Sequence, residues 1–230
     1  MDSKVVNLEI RKTIRPFLKE RGFTRFAPRY CWRHRENAID VIHFWSPYNW
    51  IYAEVMGITT FSFQIDMGIY FPDIPQRYPD HIKKQSGRLL PKEYESHFRR
   101  RLYKSIEQPE HPGAELWYID PNGDNLEDVI NDVRFVIERD ALPWFDTYTP
   151  ETFFDLMRTY KGGDLDIGLV CGGNYMAGYL SKSLGHYEMA IEYLEAFLIS
   201  EKKKRKSGST SDDSIQQSVE TDIEYMKSQL

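Results

Sequence analysis

One stretch of alternating side chains limits what this chain can fold into. Between Ile58 and Phe71, every second residue from Phe61 onward is apolar, and the residues between them are mostly polar or small. A period of two is that of a β-strand, so the pattern predicts a half-buried antiparallel strand with one polar face. It is long enough to be the central strand of a sheet. The apolar positions are Phe61, Phe63, Ile65, Met67, Ile69 and Phe71.

A shorter alternating segment upstream predicts a β-hairpin. With Glu36 and Asn37 as its two turn residues, aromatic and aliphatic side chains share one face of the hairpin. Opposite charges then face each other on the other face, which stabilises the same register. The predicted cross-strand pairs are Arg33 with Asp40, Trp32 with Val41 and Tyr30 with His43.

Two segments of the front half have the periodicity of amphipathic helices. In the first, from Ser3 to Arg21, apolar residues recur every three or four positions, and Pro16 predicts a kink. The second begins at Asp124 and is predicted to end before Pro143, because the residue before a proline disfavours helix. We expect the second helix to cover the apolar face of the sheet.

The segment from Tyr94 to Ile106 fits a helix or a strand. Its apolar residues step by four, which satisfies both periods. We favour a strand because Leu116 to Ile119 has the composition of a return strand after a turn rich in prolines. Prolines also predict that residues 72–91 form a surface loop.

Beyond about residue 148 the periodicity is helical only. Thr149-Pro150 is a typical helix start, Tyr175 to Leu198 predicts a tight helical hairpin, and Ile215 to Met226 predicts a last amphipathic helix. The predicted fold is therefore α+β, an antiparallel sheet with helices on one face, followed by an all-helical C-terminal part. We place the sheet domain at 1–147 and the helical region at 148–230.

Several features follow one another in a fixed order along the front half. They are Gly22-Phe23 after the first helix, the aromatic strand around Tyr30 and Trp32, the FSFQIDMGIYF strand, the HFRRRL segment, Trp117-Tyr118, and Leu142-Pro143-Trp144-Phe145. In this order and spacing, residues 5–147 resemble the bacterial domain of unknown function 4304 family. The resemblance implies an α+β fold with an antiparallel sheet. That family has no established activity, so it implies no catalytic residue.

A shorter resemblance lies in the helical region. Leu184-Gly185, Tyr187, Ala190-Ile191, Tyr193 and Ala196 are similar to the middle of a tetratricopeptide repeat, in which small and aromatic residues let two helices pack closely. Only one such unit is evident, whereas about three stacked copies are normally needed for stability. Two interpretations stay open: a lone helical hairpin docked on the front domain, or a degenerate array with a peptide groove that includes residues 151–160 and 214–229.

Composition excludes several classes of protein. With 41% hydrophobic and 28% charged residues, the chain is neither fibrous nor wholly disordered, and its net charge of -5 gives no general attraction to nucleic acid or anionic lipid. No apolar run reaches the roughly 18 residues of a membrane span, and the first residues lack the apolar stretch of a secretory signal. We therefore expect a cytoplasmic protein. Its two cysteines, Cys31 and Cys171, are expected to be free thiols.

The sequence predicts neither a metal site nor a cofactor. Cys31 and His34 have the spacing of metal ligands, but on a strand they point to opposite faces. His34 and His43 can share a face, yet they lie at non-adjacent positions with no evident acidic partner. No motif of a hydrolase, a phosphate-binding loop or a dinucleotide-binding fold is present.

Protein recognition is the function that these observations favour, and a bacterial immunity or antitoxin-like protein that occludes a toxin is one concrete version. Aromatic and arginine side chains of the kind that dominate binding interfaces lie near the polar face of the sheet. The candidate partner-binding residues are Trp45, Tyr48, Trp50, Gln64, Arg99 and Arg101.

Two alternatives belong to other classes. The first is an enzyme that uses Asp66, His97 and Arg99 as acid, base and anion-holding groups on the sheet face. The second is local nucleic-acid binding through Arg99–Arg101 or the basic run Lys202–Lys206, which the acidic balance of the chain makes the weaker expectation.

Overall fold

A six-stranded antiparallel sheet forms the centre of the structure, with the strand order β1-β2-β3-β4-β7-β8. The computed structural model describes residues 1–47, 49–75, 82–111, 113–159, 169–170, 173–206 and 213–230. Two further strands, β5 and β6, form a separate hairpin. The strands are β1 (Arg25–Phe26), β2 (Tyr30–His34), β3 (Ile39–Trp45), β4 (Gln64–Tyr70), β5 (Lys83–Gln85), β6 (Arg88–Leu90), β7 (Phe98–Arg101) and β8 (Leu169–Val170).

The strand register follows the sequence pattern closely. β2 and β3 pair as predicted, with Arg33 opposite Asp40, Trp32 opposite Val41 and Tyr30 opposite His43. The segment around Phe98 is a strand and not a helix, and it pairs with β4. All six alternating apolar positions from Phe61 to Phe71 are buried.

Two strand predictions need correction. The central strand starts only at Gln64, because Phe63 leaves the ladder and forms an isolated bridge with Trp117. Leu116 to Ile119 is not a regular return strand either, because the N–H groups of Tyr118 and Ile119 donate to the side chains of Gln108 and Ser62. The backbone at Trp117 is satisfied by Phe63 instead, with N–O distances of 3.0 and 3.2 Å.

The two helices that pack on one face of the sheet each contain a wide π-turn just before a proline. Helix α1 consists of Ser3–Glu9, the π-turn Ile10–Ile14 and Arg15–Lys19. Helix α3 consists of Leu126–Val136, the π-turn Ile137–Ala141 and Leu142–Thr147. A proline lacks an N–H and crowds the carbonyl four residues before it, and a wider turn relieves both defects. The helix predicted to end before Pro143 therefore continues to Thr147.

The main core lies between this helical layer and the sheet. Alternate residues of β3, β4 and β7 meet the apolar faces of α1 and α3, and Phe153 from the helical region packs on Phe71 and Phe98, at ring distances of 5.3 and 4.8 Å. Cys31 is a free thiol in this core, and burial raises its pKa to about 12. Cys171 lies outside the described residues.

The C-terminal helices pack on one another in chain order. They are α4 (Pro150–Thr159), α5 (Gly173–Ser183), α6 (Tyr187–Lys206) and α7 (Asp213–Lys227). The predicted helical hairpin is present as α5 and α6, and α7 adds to it with Val219, Ile223 and Met226 buried in the core. Asp222 of α7 also accepts from Tyr179 Oη at 2.8 Å and from Lys182 Nζ at 2.5 Å. The likeness of the α5–α6 hairpin to a tetratricopeptide repeat stays a prediction.

The second face of the sheet is partly covered as well. The sequence predicts a surface loop for residues 72–91, of which 76–81 lie outside the described residues. Residues 82–91 include the β5–β6 hairpin, and Leu90 packs over Trp32, Val41 and Tyr70 in a smaller apolar cluster. This segment stays on the sheet because the strand residues on this side include enough apolar surface to hold it. None of the helices in the described residues is long and apolar enough to cross a membrane.

Candidate functional site

Several predicted site residues come together at the uncovered end of the second sheet face. The register places Gln64 opposite Trp45, and Asp66 opposite both His43 and Arg101. Because alternate residues of a strand share a face, Trp45, His43, Gln64, Asp66 and Arg101 lie side by side. Arg99 lies two positions from Arg101 on the same face, opposite Gly68.

Asp66 and Arg101 form an ion pair on this face. Arg101 Nε donates to Asp66 Oδ1 at 2.7 Å, and the two side chains are 44% and 20% exposed, respectively. A pair so open to water contributes little to stability, about 0–1 kcal/mol. The arginine keeps further N–H donors, so the pair is available to interact with other molecules.

His43 lies against Glu93, which a short 3-10 turn, Glu93–Glu95, brings over the sheet. His43 Nδ1 lies 3.1 Å from Glu93 Oε1, and Tyr30 Oη donates to Glu93 Oε2 at 3.0 Å. The Tyr30 ring stacks on the His43 ring at 4.1 Å with an interplanar angle of 4°. The covering segment is fixed by Trp32, whose Nε1 donates to Pro91 O at 2.7 Å.

The electrostatics of this cluster favour an ionised Glu93. Burial opposes the charge, but the adjacent His43 imidazole and the Tyr30 hydroxyl outweigh it and lower the pKa of Glu93. Burial, and to a smaller extent the same carboxylate, raise the pKa of Tyr30. The phenol therefore stays protonated and remains a donor. Sequence reasoning missed this cluster because Glu93 lies in a segment that pairs with no strand.

A short helix at the edge of this face presents apolar side chains to solvent. Helix α2 (Trp50–Val55) begins at Asn49, whose side chain accepts from Tyr52 N at 2.8 Å. Ala53 is buried against Ile58 and Leu116, whereas Trp50 is 67% exposed and Val55 is 80% exposed. The other exposed apolar side chains here are Ile51, Tyr52 and Met56.

Trp45 joins this helix to the polar row on the sheet. The Trp45 and Tyr52 rings contact edge to face, at 6.1 Å and 87°. Tyr52, Trp45, Gln64, Asp66 and Arg101 thus follow one another in a row. We call this row, together with the exposed side chains of α2, the α2–sheet surface. Tyr48, the remaining predicted partner-binding residue, lies outside the described residues.

The structure does not bring together the three residues of the enzyme hypothesis. His97 precedes β7, and Asp66 pairs with Arg101 at the far end of that strand, four residues away or about 13 Å. The His97 ring is 7% exposed, its Nδ1 accepts from Phe71 N at 3.0 Å, and burial lowers its pKa to about 3. His97 is therefore a neutral core histidine, which its isolated position in the sequence could not reveal.

A cavity of about 920 Å³ lies elsewhere, between residues 105–110 and α3. Its most buried acid is Asp132, which accepts from Trp117 Nε1 at 2.7 Å and from Ser105 N at 3.2 Å. The Ser105 hydroxyl also contacts it. With its oxygens held by these donors, Asp132 ties α3 to the segment after β7 and has a structural role.

The fold and the site define an α+β protein whose antiparallel sheet has helices on one face and a partly covered second face. A family model described as Domain of unknown function (DUF4304) matches residues 14–147, more than half of the chain. The chain belongs to this family. Neither a curated protein nor a solved structure matches it.

Proposed function

We propose that the chain is a protein-binding module and that its partner docks on the α2–sheet surface. The observation that carries the proposal is the exposure of five apolar side chains on and next to one short helix, whose single buried residue is Ala53. Contiguous apolar surface of this kind is uncommon on monomers and typically marks an interaction site. Tryptophan, tyrosine and arginine, which dominate binding energy at interfaces, are all present.

The charges beside the helix specify the partner's chemistry. Arg99 and Arg101 flank the aromatic residues on one side, whereas α2 itself carries a single charge, Glu54. Because Arg101 Nε already donates to Asp66, its remaining N–H groups are the donors that can meet carboxylates at the border of a partner's apolar groove. An immunity or antitoxin-like protein that occludes a toxin in the cytoplasm is the concrete version of this proposal.

Paired surface variants test the proposal. Trp50→Ser with Val55→Ser removes exposed apolar area from α2, and Phe135→Ser with Ile199→Ser removes exposed apolar area from α3 and α6 as a matched control. Copurification from the native host should recover a partner with the wild type and with the control, but not with the α2 variant.

Four outcomes would overturn the proposal. A wild-type monomer that recovers no partner would do so, and so would equal recovery by the two double variants. A concentration-dependent dimer that the α2 variant abolishes would show that the surface binds a second copy of the chain. Loss of binding as a steep function of salt, with nucleic acid as the recovered partner, would identify a different class of ligand.

A further inference from the structure

Three potential metal ligands from different parts of the chain converge on the second sheet face. They are His43 from β3, Asp66 from β4 and Glu93 from the 3-10 turn, and their ligand atoms all lie within 4.8 Å of one another. Their side chains are 12%, 20% and 14% exposed, so the cluster is sheltered but open to solvent. Among the described residues, this is the one such group of three.

The contact between His43 and Glu93 has the geometry of two ligands on one ion. The Nδ1 and Oε1 atoms are 3.1 Å apart, and the buried His43 Nδ1 is not aligned as in a regular hydrogen bond. Ligands about 2.0–2.1 Å from one Zn²⁺ lie about 2.9–3.4 Å apart, depending on whether their angle is octahedral or tetrahedral. The observed separation of 3.1 Å falls within this range.

The neighbours of these three side chains orient them as outer partners orient metal ligands. Tyr30 holds Glu93 through Oε2, which leaves Oε1 beside His43, and Tyr30 also fixes the plane of the imidazole by stacking on it. Arg101 holds Asp66 through one oxygen in the same way. Ligating carboxylates are commonly hydrogen-bonded in this manner.

We propose that His43, Asp66 and Glu93 form a binding site for a divalent transition-metal ion. One imidazole and two carboxylates make a mixed nitrogen and oxygen donor set, which suits Zn²⁺ better than the all-oxygen sites of Ca²⁺ or Mg²⁺. Two carboxylates also balance the charge of the ion. Three protein ligands leave at least one position for water or another ligand. The site does not depend on the proposed partner, although it adjoins the α2–sheet surface.

Calorimetric titration of the full chain with Zn²⁺, after removal of metals with a chelator, tests the site. The wild type should bind one ion per chain, and Zn²⁺ should raise Tm in a way that the chelator reverses. Glu93→Gln, which keeps an acceptor for Tyr30, and His43→Gln should each weaken binding at least tenfold. Asp66→Asn gives a third variant if either of these fails to fold, as judged by circular dichroism.

Two matched controls separate this site from surface binding. Glu95→Gln changes an acid on the same 3-10 turn, and His186→Gln removes an exposed imidazole from the helical region. Both should bind Zn²⁺ as the wild type does. The proposal is overturned if the wild type binds no Zn²⁺, if the folded cluster variants retain wild-type affinity, or if His186→Gln abolishes binding.

Discussion

Gly68 of β4 lies directly beneath Ser96, so close that no side chain fits between them. A Cβ built on Gly68 would lie 2.6 Å from Ser96 Cβ and 3.3 Å from Glu93 Cα. The absence of a side chain lets the 3-10 turn rest on the sheet, and this approach brings Glu93 to His43. A glycine inside a strand otherwise weakens it, so the close approach explains the residue at this position.

Gly68→Ala should therefore destabilise the protein by about 1–3 kcal/mol, because the turn must move away from the strand. Urea denaturation measures the change in the free energy of unfolding. Gly113→Ala is the matched control, since a Cβ there meets no heavy atom closer than 3.7 Å. If the two variants are equally stable, the turn does not press on β4 in solution.

Asp40 should be among the most costly acidic residues to neutralise. It is fully buried and accepts from Arg33 Nε at 2.6 Å and from Arg35 Nη2 at 2.8 Å. Burial raises its pKa, and the two guanidinium groups oppose that effect. Asp40→Asn leaves both arginines without their shared anion and should cost about 3–5 kcal/mol in urea denaturation.

The control for this prediction is an exposed pair. Arg139 and Asp140 lie 2.6 Å apart on the surface of α3, where water screens their interaction. Asp140→Asn should change the free energy of unfolding by less than about 1 kcal/mol. A similar loss in both variants would contradict a special role for the buried pair.

His97 should make stability depend on pH. Its pKa is about 3 in the folded protein and 6.5 as its ordinary value, so the unfolded chain binds a proton first as the pH falls. Its contribution to stability is complete above about pH 6.5 and is lost towards pH 3, at up to about 1.4 kcal/mol per pH unit. His97→Gln keeps an acceptor for Phe71 N. It should reduce the slope of unfolding free energy against pH by up to about 1.4 kcal/mol per pH unit, the contribution of one proton. The measurement is urea denaturation between pH 4 and 7. Equal slopes of unfolding free energy against pH in the wild type and His97→Gln would contradict the prediction.

A second close approach joins the helical hairpin. A Cβ on Gly178 of α5 would lie 2.6 Å from Leu194 Cδ2 on α6 and 3.3 Å from Ala190 O. Gly178→Ala should cost about 1–3 kcal/mol. In the double variant with Leu194→Ala, the cost should be smaller than the sum of the single costs, because the truncated leucine makes room. Additive costs in a double-mutant cycle would contradict this contact.

The parts of the fold that could be predicted are those that local pattern specifies. The β2–β3 register follows from charges and aromatic residues that match only when Arg33 faces Asp40. The alternation through Ile65, Met67 and Ile69 likewise determines which face of β4 is buried. Both signals lie within one or two neighbouring strands, where the period of two leaves few alternatives.

The parts that could not be predicted depend on contacts between distant segments. That Trp117 bridges Phe63, and that Leu90 covers Trp32, requires knowing how loops return to the sheet. The sequence shows His43 without an acidic partner, since Asp66 is supplied by another strand and Glu93 by a turn. The continuation of α3 past Pro143 needed the π-turn, which has no clear sequence signal.

The outermost strand on the β2 side of the sheet, β1, has only two residues, Arg25–Phe26. So short an edge offers an incoming chain almost no backbone hydrogen bonds with which to extend the sheet. Recognition by strand addition at this edge, a common route to peptide binding, is thereby disfavoured. A partner of the α2–sheet surface would then be selected through side chains, so point substitutions there should change which partner binds without disturbing the fold.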